Sequence, residues 1–149
     1  HRCGRPGRGR ERRLMRLVLL LALVAAPFAT AQAEDRVRAN YLLACRGCHL
    51  VDGSGVPPEV PSLRDTLGQF VKSAEGRGYL VRVPGVAQSR LNDEELAEVI
   101  NWILTEFNAA SLPKDFRPFS AREVAAVRGD ILADPVGYRG ELLTTLVAE

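Results

Sequence analysis

The sequence is short of the residues that usually build metal sites and membrane spans. Its 149 residues include only three cysteines, two histidines and one methionine. Long hydrophobic runs are also missing: the most apolar stretch, Leu17 to Ala26, has about half of the roughly 20 residues that a membrane-spanning helix needs. These shortages argue against a zinc site made of four cysteine and histidine ligands and against a lasting membrane anchor.

The N-terminal part has the composition of a leader. Residues 1–13 contain six arginines and three glycines, and Met15 is followed by a basic residue, the apolar run and the small-residue ending Ala31–Ala33. This order is typical of a secretory signal peptide with an A-x-A cleavage site. We expect translation to start at Met15, residues 1–14 to be untranslated or part of the leader, and residues 15–33 to be a signal peptide for export to the periplasm.

Cleavage after Ala33 would reverse the charge of the chain. Seven of the 20 lysines and arginines and one of the 18 acidic residues precede residue 34, which leaves 13 basic and 17 acidic residues, a net charge of −4 instead of +2. The basic arm is then a processing feature, so we expect no nucleic-acid partner.

The stretch "ACRGCHL" places Cys45, Cys48 and His49 within five positions. C-x-x-C-H is the signature of covalent c-type haem attachment: each thiol adds to a haem vinyl group, and the histidine takes one axial position of the iron. The alternatives are a zinc site completed by a carboxylate, a thioredoxin-like redox dithiol and a plain structural disulfide. The spacing and the adjacent histidine favour one covalently bound haem c.

The segments around the motif predict helices joined by a loop. Residues 36–45 have an apolar face at helical spacing, residues 52–63 contain two glycines and three prolines, and residues 92–108 form an apolar stripe behind a capping box of Asn92 and Glu95. Between them we predict a short helix at 67–73 and a turn at Gly76 and Gly78.

With these features the chain resembles the class I c-type cytochromes, which are small all-α proteins with one haem. The resemblance implies that the Pro61 carbonyl accepts a hydrogen bond from the His49 ring and that Leu63 packs on the haem. It also implies that Trp102 or Phe107 lies where the first and last core helices cross. We further expect Phe70 and Tyr79 to line the haem pocket, because haem is a large apolar ligand. Tyr79, Arg77 and Arg82 are candidates for bonding a haem propionate.

One departure from the family concerns the second axial ligand. Class I cytochromes usually place a methionine in the segment before the last core helix, but residues 79–95 contain none, and Met15 lies in the predicted leader. Three interpretations stay open: the sixth iron position is empty or holds water, an outside molecule binds there, or a side chain does. The candidate side chains are Gln88, Asn92, Lys72 and Tyr79.

The chain continues past the usual end of the family fold. We predict a haem domain at 34–108 and a C-terminal extension at 109–149 that packs on it. The extension should contain an extended segment at 111–120, a helix at 120–134 opened by Ser120 and Glu123, a break at Pro135 and Gly137, and a last short helix within 137–149. The resemblance implies an electron-transfer protein, not an enzyme, although residual peroxidase activity is conceivable. Its partners would be a periplasmic dehydrogenase and a terminal acceptor. The alternative is a protein that binds or senses CO, NO or peroxide at an open distal site.

Overall fold

A computed structural model describes residue 15 and residues 32–57 and 59–147 of the chain. Contacts divide the chain into two compact units, residues 1–36 and residues 37–149, and the second unit carries all the features discussed below. Apart from residues 15, 32 and 33, the predicted leader lies outside the described residues.

From residue 32 onward, the regular elements of the described chain are all helices, so the predicted all-α class is confirmed. Its one pairing of extended backbone is an isolated bridge between Val56 and Val60. The elements are α1 (32–44), α2 (Arg46–His49), α3 (Leu67–Phe70), α4 (Ala74–Arg82), α5 (Pro84–Ala87), α6 (Asp93–Asn108), α7 (Ala121–Val127) and α8 (Pro135–Val147).

The longest of these helices is α6, and it forms for the reasons visible in its sequence. Asn92 accepts a hydrogen bond from the Glu95 N–H, and the Glu95 carboxylate accepts one from the Asn92 N–H, so the capping box is complete. Three acidic residues occupy the first turn, where they face the positive end of the helix dipole. The apolar stripe is buried: Leu96, Val99, Ile100, Ile103 and Phe107 are all less than 9% exposed.

An aromatic cluster joins α1 to α6. The Tyr41 ring lies 5.1 Å from the Trp102 ring and 5.7 Å from the Phe107 ring, measured between centroids, and Trp102 and Phe107 are 5.2 Å apart. Edge-on and tilted ring pairs at these distances are favourable beyond their buried area. Trp102 and Phe107 therefore both lie at this helix contact.

The predicted turn at Gly76 and Gly78 is wrong, because α4 runs through both glycines. The helix starts where the Ser73 hydroxyl accepts a hydrogen bond from the Gly76 N–H. A side chain at position 76 would collide with the Phe70 carbonyl. This glycine permits a close approach of α3 to α4 and does not mark a turn.

The extension begins as predicted and then departs from the prediction. Residues 111–120 contain no helix, and α7 follows with Ser120 as its N-cap, but it ends at Val127 and not at 134. Pro135 and Gly137 do not break a helix, since α8 starts at Pro135. Proline fits there because the first turn of a helix needs no N–H donor. The Asp134 carboxylate accepts a hydrogen bond from the Gly137 N–H.

Candidate functional site

The C-x-x-C-H motif forms the tight turn that directly follows α1. The Cys45 N–H donates to the Tyr41 carbonyl (2.8 Å), and the N–H groups of Cys48 and His49 both donate to the Cys45 carbonyl (3.2 and 3.0 Å). Cys45 and His49 are half-buried and Cys48 is exposed. The helical turn thus presents the two thiols and the imidazole close together.

Tyr41 holds the end of this turn in place, a role that helical periodicity did not reveal. Its side chain is fully buried, and its hydroxyl donates to the Leu50 carbonyl at 2.6 Å. Burial raises the pKa of Tyr41 to about 12, with smaller contributions from Cys45 and Asp52. The phenol is therefore a hydrogen-bond donor at any physiological pH.

The pKa of Cys45 is shifted in the direction opposite to that of the attacking cysteine in a redox dithiol. Both thiols of the motif are free, and burial, followed by the neighbouring Cys48, raises the pKa of Cys45 to about 11. Thioredoxin-like motifs instead lower the pKa of the attacking cysteine. The described residues also contain no group of three or more His, Cys, Asp or Glu side chains that converge as metal ligands. The dithiol, disulfide and zinc alternatives therefore gain no support.

One ring nitrogen of His49 has no hydrogen-bond partner among the described residues. Burial lowers the pKa of His49, and an interaction with the Pro61 carbonyl opposes that effect. The Nδ1 atom is nevertheless buried without a hydrogen bond. The Pro61 carbonyl therefore lies beside the ring but does not complete a hydrogen bond with it. A histidine that binds a metal through one nitrogen usually donates from the other, and Pro61 is placed to accept.

The motif forms one wall of an apolar cavity of about 360 Å³. The remaining walls come from the 59–63 loop, α3 to α6 and α8, and the leucines and isoleucines from α3, α4 and α6 among them are buried. This cavity and the orphaned His49 nitrogen fit a large apolar ligand that is anchored at Cys45, Cys48 and His49. The lining from α3, α4 and α6 consists of Leu67, Tyr79, Leu80, Ile100, Ile103 and Leu104.

The structure brings most of the predicted site residues together. Pro61, Leu63 and Tyr79 line the same cavity as the motif. Phe70 does not line it: this residue is fully buried and stacks on Tyr79, with 5.2 Å between ring centroids. Phe70 therefore supports the cavity wall from behind.

Asn108, the last residue of α6, fixes two parts of this wall. Its side chain is 1% exposed. Its amide nitrogen donates to the Leu63 carbonyl (2.8 Å), and its amide oxygen accepts from the Leu67 N–H (2.9 Å). Nothing in the sequence distinguished this asparagine from an ordinary helix-end residue, because its partners are 41 and 45 residues away.

The candidate sixth ligands are placed very differently. Gln88 and Lys72 are exposed and do not line the cavity. The Asn92 side chain is engaged as the cap of α6. Tyr79 is the one member of the four that lines the cavity.

Arg128, at the end of α7, secures the segment that contains Gln88. Its guanidinium donates to the carbonyls of Ala87, Ser89 and Leu91 at 2.6–2.9 Å. It also pairs with Asp93 at 3.0 Å. The extension thereby holds the stretch in which the family places its methionine.

The extension also reaches the cavity directly, which the sequence did not indicate. Pro135, Val136 and Arg139 of α8 are lining residues, and α8 packs against α3 and α4. A helix with proline and two glycines in its first six residues gave no periodic signal for this role.

An all-helical unit with C-x-x-C-H on the wall of an apolar cavity defines a class, that of proteins with covalently bound haem c. The relatives of the chain narrow this class. A cytochrome c-552 of Thermus thermophilus is 33% identical over 132 residues, which cover 76% of this chain and 87% of the relative. Another cytochrome c-552 of the same species is 34% identical over 108 residues, 60% of this chain and 82% of the relative. No family model matches the chain.

The chain therefore belongs to the class I c-type cytochromes. These are electron-transfer proteins, not enzymes, and they carry covalently attached haem c and act with redox partners. None of the helices within the described residues is long and apolar enough to cross a membrane.

Proposed function

We propose that this cytochrome is exported to the periplasm and carries single electrons from a dehydrogenase to a downstream acceptor. In this proposal Cys45 and Cys48 form the thioethers, His49 binds the iron and the Pro61 carbonyl accepts a hydrogen bond from the His49 ring. The observation that carries the proposal is the convergence of these four residues on one apolar cavity of about 360 Å³. The haem supplies the one-electron chemistry, while the protein binds it and excludes water.

The surroundings of the motif support outer-sphere electron transfer. Cys48 is exposed, and the neighbouring Leu50 and Val51 are 48% and 53% exposed. A small exposed surface beside the attachment point suits the small interfaces that brief contacts with redox partners use.

The attachment is tested by producing the protein in cells that mature c-type cytochromes. We expect one haem per chain that stays bound after acid–acetone extraction and denaturation, as measured by mass spectrometry and by the pyridine haemochrome spectrum. Cys45→Ala and Cys48→Ala should each leave one thioether, and the double variant none. A protein that retains covalent haem in the double variant, or never acquires it, would contradict the assignment.

Export is tested by fractionation and by the mass of the mature chain. We expect haem-loaded protein in the periplasmic fraction, with Glu34 as its first residue. A cytoplasmic protein, or a mature chain that begins elsewhere, would overturn this part of the proposal. Stopped-flow mixing with candidate dehydrogenases and oxidases then tests the order of the partners.

A second candidate function, the binding of a small molecule such as CO or NO at an open distal position, is favoured by one observation. Among the described residues that line the cavity there is no methionine, and His49 is the one histidine. Of the candidate ligands only Tyr79 lines the cavity. A high-spin ferric spectrum and ready binding of CO to the ferrous protein would support an open position.

Tyr79→Phe separates the remaining possibilities. If Tyr79 binds the ferric iron, the variant loses the phenolate-to-iron charge-transfer absorption of the parent. If the position is open, the variant and the parent have the same spectrum. A low-spin spectrum that neither CO nor Tyr79→Phe alters would contradict both forms of this second function.

A further inference from the structure

We propose that Arg139, in the C-terminal helix α8, binds a carboxylate of the haem. This inference rests on the proposed attachment of haem at Cys45 and Cys48. It assigns to the extension a direct part in holding and tuning the cofactor.

The cavity wall carries few charged side chains. The lining is largely aliphatic, and its charged or titratable acid–base members besides the thiols and Tyr79 are His49, Glu59 and Arg139. His49 is the proposed iron ligand, so Arg139 is the permanent cation among the described lining residues. A haem is apolar over most of its surface but carries two propionate carboxylates, which require a counter-charge or water.

Arg139 is held by an aromatic ring and by one hydrogen bond. Its guanidinium carbon lies 4.9 Å from the centroid of the Phe70 ring, and its Nη2 donates to the Thr66 hydroxyl at 3.3 Å. Stacking fixes the plane of a guanidinium without using its donors. Arg139 has five N–H donors and no salt bridge within the described residues, so its charge and most of its donors remain available to an anion.

The neighbouring arginines, Arg77 and Arg82, are each paired with a carboxylate of the protein. Arg77 binds both carboxylate oxygens of Glu123 at 2.6 and 2.7 Å, and Arg82 pairs with Asp130 at 2.7 Å. Neither residue lines the cavity. The two arginines that the sequence suggested for a propionate are thus already paired, and the cation that faces the cavity comes from the extension.

The expected consequence is a shift in the ionisation of the bound propionate. A cation within hydrogen-bond distance lowers the pKa of a carboxyl group by about 1–3 units and offsets its negative charge near the iron. The other titratable groups on the elements packed around Arg139 are few, since α3 has none. They are Glu75, Arg77, Tyr79 and Arg82 on α4, and Tyr138 and Glu141 on α8 itself.

The test measures the reduction potential of the holoprotein between pH 4 and pH 9 by spectroelectrochemistry. In Arg139→Gln the potential should be lower at neutral pH, since the propionate charge is no longer offset. It should also fall through an inflection about 1–3 pH units higher than in the parent. Arg139→Lys should restore most of both values, because it keeps the charge.

Arg82→Gln is the matched control. It removes an equal charge close to α8, since Arg82 lies 6.0 Å from the Tyr138 ring, but outside the cavity. It should lower the potential slightly and leave the inflection where it is. The proposal is overturned if the potential of Arg139→Gln has its inflection at the same pH as that of the parent. It is also overturned if Arg139→Gln lowers the potential at neutral pH no more than Arg82→Gln does.

The parent protein provides a measurement that does not depend on the folding of a variant. Redox-induced infrared difference spectra should show at least one propionate that stays ionised down to about pH 5. Protonated carboxyl bands from both propionates at about pH 6 would also overturn the proposal. Failure of the haem attachment would be recognised separately, because no holoprotein with the spectrum of a c-type cytochrome would form.

Discussion

The two sides of the cavity are held by different kinds of interaction. The motif side, residues 41–63, is fastened mainly by short-range hydrogen bonds, such as Tyr41 to the Leu50 carbonyl and the Leu63 N–H to the Gly53 carbonyl. The opposite side is fastened by arginines that join the extension to the core across 35 to 48 residues of sequence. These are Arg77, Arg82 and Arg128.

This difference explains what each side can tolerate. The motif side depends on a fixed spacing, and Gly53 has a left-handed φ of 78° beside the Phe107 ring, a combination that excludes a side chain. The extension side depends on long cationic side chains that donate hydrogen bonds to backbone carbonyls. A backbone carbonyl is present at every residue, so many sequences can form such bonds. We therefore expect the largest losses of stability where the motif side meets α6.

The first prediction compares two asparagines of α6. Asn108→Ala should lower the free energy of unfolding by roughly 2–4 kcal/mol, because buried bonds to Leu63 and Leu67 are lost and their partners remain unsatisfied. Asn101→Ala removes two bonds to the Phe119 backbone on the extension side, where Asn101 is only half-buried. It should cost about 1–2 kcal/mol. Urea denaturation of the holoproteins measures both.

The two losses of unfolding free energy show whether the motif side is more tightly coupled to the core than the extension side. Equal losses for the two variants would mean that the extension is as tightly coupled to the core as the motif loop. In Asn108→Ala we also expect a change in the haem absorption spectrum, because Leu63 and Leu67 both line the cavity. Asn101→Ala should leave the spectrum unchanged.

The same contrast explains how far the sequence could be interpreted. The motif, α6 and its capping box, and the all-α class were predictable because each depends on residues within about one helical turn. Pro61, Leu63 and Tyr79 came from a family resemblance and an expected apolar lining, and all three line the cavity. Asn108, Arg128 and Arg139 were missed because their partners are distant in sequence and an isolated arginine or asparagine gives no periodic signal.

Phe70 and α8 show a second limit of the sequence. A large aromatic residue near the site was expected to face the ligand, but tertiary packing placed Phe70 behind Tyr79 and under Arg139. Pro135 and Gly137 were interpreted as helix breakers by residue type, whereas their position in the first turn of α8 makes both acceptable. In each case the environment, and not the residue type, determined the role.

The second prediction concerns Arg128, which connects α7 to residues 87–93. Arg128→Ala should lower the free energy of unfolding by about 1–3 kcal/mol, because three carbonyls lose a charged donor. Arg128→Lys should recover only part of the loss, since one ammonium cannot reach all three carbonyls with the geometry of a guanidinium. Thermal unfolding of the two variants measures this difference. Full recovery by lysine would mean that charge alone, and not the pattern of bonds, holds the segment.

The third and smallest effect returns to the motif side, at Tyr41. Tyr41→Phe removes the bond to the Leu50 carbonyl and should cost about 1 kcal/mol near neutral pH. Because burial raises the pKa of Tyr41 from 10.0 to about 12, its contribution is fully present below about pH 10 and is lost as the pH rises through about 12. The difference in unfolding free energy between parent and variant should therefore shrink over that range. Tyr138→Phe, which changes a half-buried ring on α8, is the control, and the ultraviolet absorption of tyrosinate follows the titration. If the loss of unfolding free energy in Tyr41→Phe stays constant up to about pH 12, the hydroxyl acts through packing and not through its hydrogen bond. The motif side would then depend on the fit of its side chains more than on its short-range hydrogen bonds.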